Sequence, residues 1–350
     1  MKTIIIGTRQ MSHSFCSLFV RFLFFSFLFC FYFNYSIMGH LLIDFCFFSI
    51  SIVFLAYSYC VLSKGACGMR IVDAFIFFNE LDVLKMRLSL LYDVVDFFYI
   101  AEADHTFSGT RKPFYFEDNI NMFQEWADKI IYAKVLINTF GLDFSEKDSS
   151  YNPLSASWKI EAQQRNSLIN AISTLNENDL VLISDLDEFI DPVFLKEMSN
   201  NFPYIGSRLE LRNHFLFMNC LNFKPDARLW RHPFLARCKL LREHNDINKI
   251  RINGIFPAVL KDAGWHFSYL GGADQISLKI KSFSHSEYNR EEITNISSIR
   301  SKINLGRGLL EEYDDNQYAF APLSWYPTYL QRIMRNYPQF IVDNLLDFKF

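Results

Sequence analysis

Asp185, Leu186, Asp187 and Glu188 follow directly on LVLIS at 180–184, a short apolar run. Two carboxylates at i and i+2, leaving a buried strand, reach toward one point if the chain turns there. That oxygen-rich set suits a hard divalent cation, Mg²⁺ or Mn²⁺, which keeps open positions for a phosphate-bearing ligand. The chemistry indicated is a cation bridging protein carboxylates and a diphosphate leaving group. The competing account is a solvated acidic turn, since Asp191 and Pro192 open a helix just beyond. A bare D-x-D is a weak signal, and its place at the end of an apolar strand strengthens it.

The elements that must position this cluster read as alternating strand and helix. Residues 70–77 are apolar with β-branched members and read as a strand. Asn79 then offers a helix cap, Glu80 and Asp82 suit the first turn, and Leu81, Leu84, Leu88 and Leu91 follow at helical spacing. Residues 96–101 and 129–135 read as two further strands, separated by a loop at 106–113 and a short amphipathic stretch around Phe123 and Trp126. An irregular excursion at 136–156 precedes a helix over 157–175 and the strand at 180–184. This order predicts an α/β fold with a mainly parallel central sheet covered on both faces. Such sheets bind ligands beyond the carboxyl ends of their strands. No G-x-G-x-x-G or G-x-x-x-x-G-K-[ST] follows any of these strands, which weakens dinucleotide and P-loop readings, and no H-E-x-x-H occurs.

Composition divides the 350 residues near position 68. The first 68 hold 13 of the 38 phenylalanines and five of the seven cysteines, with only Lys2, Arg9, Arg21, Asp44 and Lys64 charged. Residues 45–62 form an uncharged run of 18, the length at which a transmembrane helix becomes the default. Two accounts of 1–68 stand side by side: an apolar membrane anchor, or an over-extended start before Met69. The first makes the protein membrane-associated and the second cytoplasmic. A net charge of −3 recommends no nucleic-acid partner. Cys220 and Cys238, beyond the break, are open as buried thiols or a disulfide.

Several blocks, taken in order, are recognisable. IVDAFIFFNELDVLKMRLSLLYDVVDFFYIAEADHTFSGTRKPFYF at 71–116, the W-x-x-E-x-x-Q-R-N running from Trp158 to Asn166, and LVLISDLDEF at 180–189 resemble glycosyltransferase family 17. GWHFSYLGG at 264–272 and KSFSHSEYN at 281–289 fit the family's later blocks. The likeness covers about 69–290 as one domain, leaving 1–68 outside it and 291–350 as a C-terminal extension packed on it. The family includes a β-1,4-mannosyl-glycoprotein 4-β-N-acetylglucosaminyltransferase. The resemblance therefore implies a GT-A-like, Rossmann-type fold, a UDP-sugar donor such as UDP-GlcNAc, inversion at the sugar carbon and a glycan acceptor. It implies a Golgi-like location if the source is eukaryotic, and the Asn295-Ile296-Ser297 sequon is usable only in a secretory lumen.

On that resemblance Asp185 and Asp187 bind the cation and the donor diphosphate, and His266 completes the metal site or is a core histidine beside Trp265. His285 has the same ambiguity. Glu188 is either a partner behind the site or a helix N-terminal acid. Arg165 pairs with Glu161, reaches the nucleotide or holds an aspartate, and Arg111 and Lys112 line the diphosphate or lie in a solvated loop. Inverting transfer needs a base for the acceptor hydroxyl. Glu102 and Glu287 are the leading candidates, with Asp73 and Asp274 behind them, and an acid after a strand also has the simpler use of binding Arg87 or a backbone amide. Phe77, Phe78, Trp158 and Trp265 stack on uracil or sugar rings, or belong to the core. Two other classes compete: a phosphatase-type site using the same aspartates, opposed by Phe189 where a small hydroxyl residue is expected, and a catalytically silent carbohydrate-binding protein.

Overall fold

The computed structural model describes residues 3–5, 69–145, 151–304, 309–310 and 318–342. The chain divides into two compact units, 1–6 with 69–350 and 7–68. The second unit, and with it the expected membrane anchor, lies outside the described residues. Among the described residues no helix is long and apolar enough to cross a membrane.

In chain order the strands are β1 (Thr3–Ile5), β2 (Ile71–Phe77), β3 (Phe97–Ala103), β4 (Ile130–Val135), β5 (Leu180–Asp185) and β6 (Glu188–Ile190). They continue with β7 (Gly206–Phe215), β8 (Cys220–Asn222), β9 (Leu229–Trp230), β10 (Phe234–Arg237), β11 (Val259–Ser268) and β12 (Tyr318–Phe320). The helices that matter below are α1 (Leu81–Leu91), α2 (Ala156–Asn166), α3 (Pro192–Asn200), α4 (Cys238–His244), α5 (Ile247–Asn253), α6 (Gly272–Ser282), α7 (Ile296–Asn304) and α8 (Thr328–Asn336).

The first half has the expected logic. Strands β4, β3, β2 and β5 lie side by side and all parallel. Alternate residues of each strand enter two separate cores, as a pleat of period two requires. Phe75, Phe98, Ile100 and Leu182 face one side, where α1 contributes Leu84, Leu88 and Leu91. Val72, Ala74, Ala101, Val181 and Ile183 face the other, covered by Ile160 of α2 and by Leu168 and Ile172 just after it. The chain builds outward from β2 through β3 to β4, then returns across to place β5 on the other flank of β2. The order thus reverses between β2 and β5, the switch point at which open α/β sheets form a crevice.

The second half departs from a parallel sheet. β10 runs antiparallel between β5 and β7, β11 pairs parallel with β7, and β6 closes the row antiparallel to β11. β1 adds antiparallel to β4 at the far end. Antiparallel pairing dispenses with the long crossover that a parallel neighbour demands. Gly264, at φ +150°, lets β6 approach β11: a Cβ there would stand 2.1 Å from the Phe189 carbonyl oxygen, backbone that cannot swing aside. That approach sets Glu188 opposite His266.

Two local expectations change. Asn79 sends its side chain to Gln275 at 3.2 Å, and α1 starts at Leu81 without a side-chain cap. The helix expected over 157–175 breaks after Asn166 into a tighter segment, Ser167–Ile172, where Ser167 Oγ donates back to the Gln164 carbonyl at 2.6 Å. Asp191 does cap α3, accepting from the Val193 amide at 2.8 Å. Cys220 and Cys238 are both buried free thiols. Beyond 290 the described chain packs on the same unit: β12 pairs with β8, and Tyr326 Oη lies within hydrogen-bond distance of His214 Nε2, at 3.0 Å.

Candidate active site

At the switch point the strand ends open into a cavity of about 790 Å³. Phe78 and Glu80 reach it from beyond β2, His105 and Thr106 from beyond β3, Asp185 from the end of β5 and Asp187 from the turn after it. Trp158, Glu161 and Arg165 share one face of α2 and line the same wall. Asn213, Trp230, Arg251, His266 and Lys279 come from the second half of the chain.

Asp185 sits between two guanidinium groups. Arg165 donates to Oδ1 and Arg251 to Oδ2, each at 2.6 Å. Arg165 also holds Glu161 at 2.7 Å, and Arg251 holds Glu188 at 2.6 Å. Burial works to raise the Asp185 pKa, but the two arginines outweigh it and keep the carboxyl well below the usual range. Glu188 is wholly buried and also accepts from Trp230 Nε1 at 2.5 Å and from the Asp185 amide at 2.7 Å. It lies on β6, behind the site, and not at a helix N terminus.

Asp187 faces a different pair. Lys279 donates to Oδ2 at 2.7 Å, and His266 Nε2 stands 3.7 Å from Oδ1. Burial again is the largest single influence and opposes the charge, but Lys279 and His266 together outweigh it, so this pKa is lowered too. The His266 ring stacks on Trp230 with centroids 4.4 Å apart, and its Nδ1–H donates to Asn213 Oδ1 at 3.1 Å. Burial lowers the imidazole pKa and favours its neutral form. The lone pair then stays on Nε2, so two acceptors, Nε2 and Asp187 Oδ1, face each other across a short gap.

That arrangement fits a cation. A ligating histidine ordinarily donates its other ring N–H to an oxygen, which is what Asn213 accepts here. Five carboxylates (Glu80, Glu161, Asp185, Asp187, Glu188) meet three fixed cations (Arg165, Arg251, Lys279), an excess of two negative charges within this set. Among the described residues no group of three or more His, Cys, Asp or Glu side chains gathers as a metal site. A hard cation shared with a phosphate ligand needs only one or two protein donors.

The remaining residues singled out in the sequence divide cleanly by position. Lys112, Arg165, Asp185, Asp187, His266 and His285 line the cavity, as do Phe77, Phe78 and Trp158. Glu102 is fully buried outside it, accepting from Lys112 Nζ, Tyr132 Oη and the amides of Tyr115 and Phe116. Burial pushes the Glu102 carboxyl up and the Lys112 ammonium down. Glu287 stands behind His285, accepting from Nδ1 at 2.8 Å. Arg111 is exposed and bridges through its backbone to His105. Asp73 is buried against Arg87, Asp274 is exposed near Arg300, and Trp265 enters the core from the face of β11 opposite His266. Arg251, Lys279, Trp230 and Asn213 were not legible as site residues. Arg87 carries a signal, a charge on the leucine stripe of α1, from which only its simplest use, pairing with an acid, is predictable.

Fold and site together define an α/β protein with a charged, ligand-sized cleft at a sheet switch point. The model of glycosyltransferase family 17 matches residues 60–350, and the chain belongs to that family. Two curated relatives, the β-1,4-mannosyl-glycoprotein 4-β-N-acetylglucosaminyltransferases of Rattus norvegicus and Mus musculus, are each 22% identical over 303 residues. The matches cover 77% of this chain and 54% of each relative, so the chain spans about half the length of the curated relatives it matches. Among solved structures, HddC from Yersinia pseudotuberculosis aligns with a TM-score of 0.33 at 8% identity, over 56% of this chain and 90% of its own. The inositol-1-phosphate CTP transferase of T. maritima aligns at 0.32 and 8%, over 79% and 99%. Likenesses that distant carry no weight for function.

Proposed function

We propose that this protein is an inverting, cation-assisted glycosyltransferase that moves a sugar, GlcNAc in the first instance, from a UDP-sugar to a hydroxyl of a glycan. Family membership and the activity printed in the relatives' names support the reaction class. One observation carries the reading: the Asp185–Asp187 turn lies at the switch point, ringed by Arg165, Arg251 and Lys279, with Asp187 facing His266. Planar guanidinium groups match phosphate oxygens in pairs. Arg165 and Arg251, held ready by Asp185 and Glu188, serve the diphosphate. Asp187 and His266 would hold a divalent cation, with Asp185 beside them on the same turn. A cation bound there would offset the charge of the departing nucleotide.

The other residues act around that centre. Trp158 and Phe78 offer ring faces to the nucleoside or sugar. Glu102 and Glu287 contribute through the groups they hold at the cavity wall, Lys112 and His285. A phosphatase-type reading would need a free aspartate nucleophile, and both Asp185 oxygens are engaged by arginines. The test uses the full chain with a panel of UDP-sugars, with and without Mn²⁺, following UDP release and nucleotide binding. Release should require the cation, and Asp187→Asn should abolish it. Binding of glycan without any UDP release would leave only the silent carbohydrate-binding reading, and undiminished release by Asp187→Asn would overturn the assignment.

A further inference from the structure

The turn that carries both aspartates has an unusual backbone problem. β5 and β6 are consecutive in the chain but do not pair with each other, because β5 pairs with β2 and β10 while β6 pairs with β11. The carbonyls between them therefore have no hairpin ladder to enter, and a buried carbonyl needs a donor from somewhere. Arg87, on α1, supplies it. Its Nη1 donates to the carbonyls of Asp185 at 2.9 Å, Glu188 at 2.7 Å and Leu186 at 3.3 Å. Its Nη2 also reaches Ser184 Oγ. The remaining carbonyl of the turn, that of Asp187, accepts from the Phe267 amide at 2.9 Å.

Arg87 is itself fixed from behind. Asp73 on β2 takes its Nε at 2.8 Å and its Nη2 at 2.6 Å, and the guanidinium lies 4.7 Å over the Phe75 ring. Both charged side chains are 0% exposed. Stability alone does not account for such a pair, since apolar residues of similar volume commonly replace a buried ion pair without loss. What an apolar side chain cannot do is feed three carbonyls of one irregular turn from a single planar group. We infer that Arg87, oriented by Asp73, is a positioning residue: it sets the backbone of 185–188 and so the aim of Asp185 and Asp187, without itself touching the ligand.

The inference rests on the proposed function for its activity arm, and a second arm is independent of it. Arg87→Lys keeps the charge against Asp73 but loses the fork. Asp73→Asn with Arg87→Met removes both charges, so that no lone buried charge remains. In each variant of the full chain, amide hydrogen exchange of the segment 185–188 and of Phe267 should quicken at least about tenfold, while β3 and the middle of α1 keep wild-type protection. Mn²⁺-dependent UDP release should fall at least about a hundredfold, mainly in kcat. If the wild-type protein releases no UDP, the proposed reaction fails and the exchange arm still decides this inference. Wild-type exchange across the turn, or wild-type UDP release, in the folded Arg87→Lys protein overturns it. Global unfolding of both variants also overturns it, since Arg87 would then be a core residue and not one that sets a turn.

Discussion

Replacing Lys279 by Met should strengthen manganese binding while weakening catalysis, an opposition few other readings of the site produce. Lys279 Nζ lies 2.7 Å from Asp187 Oδ2. A cation coordinated by that carboxylate at roughly 2.2 Å would stand within about 6 Å of the ammonium. Two unit charges 4 Å apart in water interact by about 1 kcal/mol, so a doubly charged ion at 6 Å is repelled by about 1.4 kcal/mol under the strongest screening available. Lys279 is 32% exposed, which makes that watery limit the fair lower bound. Each 1.4 kcal/mol is a factor of ten, so Lys279→Met should bind Mn²⁺ at least about tenfold more tightly. UDP release should fall, because on the proposed reading the same ammonium lies in the cavity that takes the donor and adds positive charge beside its phosphates. Titrating the full chain with Mn²⁺ and following the spectrum of the free ion measures the first quantity directly. Equal or weaker Mn²⁺ binding by the variant would refute Asp187 and His266 as the cation's holders.

Two further outcomes follow from the charge network. Arg251→Met leaves Glu188, whose side chain is 0% exposed, without its cation, and should cost about 3–5 kcal/mol in urea denaturation at pH 7; a loss under about 1 kcal/mol would mean that the two groups are not coupled. Asp185 has a folded pKa below its ordinary 3.8, so the native state binds fewer protons there than the unfolded chain. Its stabilising contribution is therefore whole above that ordinary value and disappears as pH falls through the lower, folded one. Between about pH 4 and 2 the wild-type protein should lose stability more steeply than Asp185→Asn, and parallel profiles for the two proteins would contradict the pairing.

What could be read from the residues, and what could not, separates along one physical line. The parallel strands of the first half announce themselves because burial on both faces makes them continuous apolar runs, and the acidic turn announces itself by standing at the end of one. Neither property needs knowledge of a distant partner. The charges that make the turn into a site do: Arg251 lies 66 residues from Asp185 and 63 from Glu188, on a short helix whose sequence contains nothing to distinguish a buried guanidinium from a solvated one. His266 and Trp265 illustrate the same limit within two residues. Adjacent strand positions face opposite sides, so a register moved by one would send the tryptophan into the cleft and the histidine into the core. Glu102 was legible as an acid at a strand end, yet its direction is set by the donors gathered around it, from Lys112 to Tyr132. Residue type fixes what a group is able to do, whereas the direction in which it acts is a property of the whole sheet. Two aspartates on a strand end become a candidate site only where α1, α2, α5 and α6 bring arginines and a lysine to meet them.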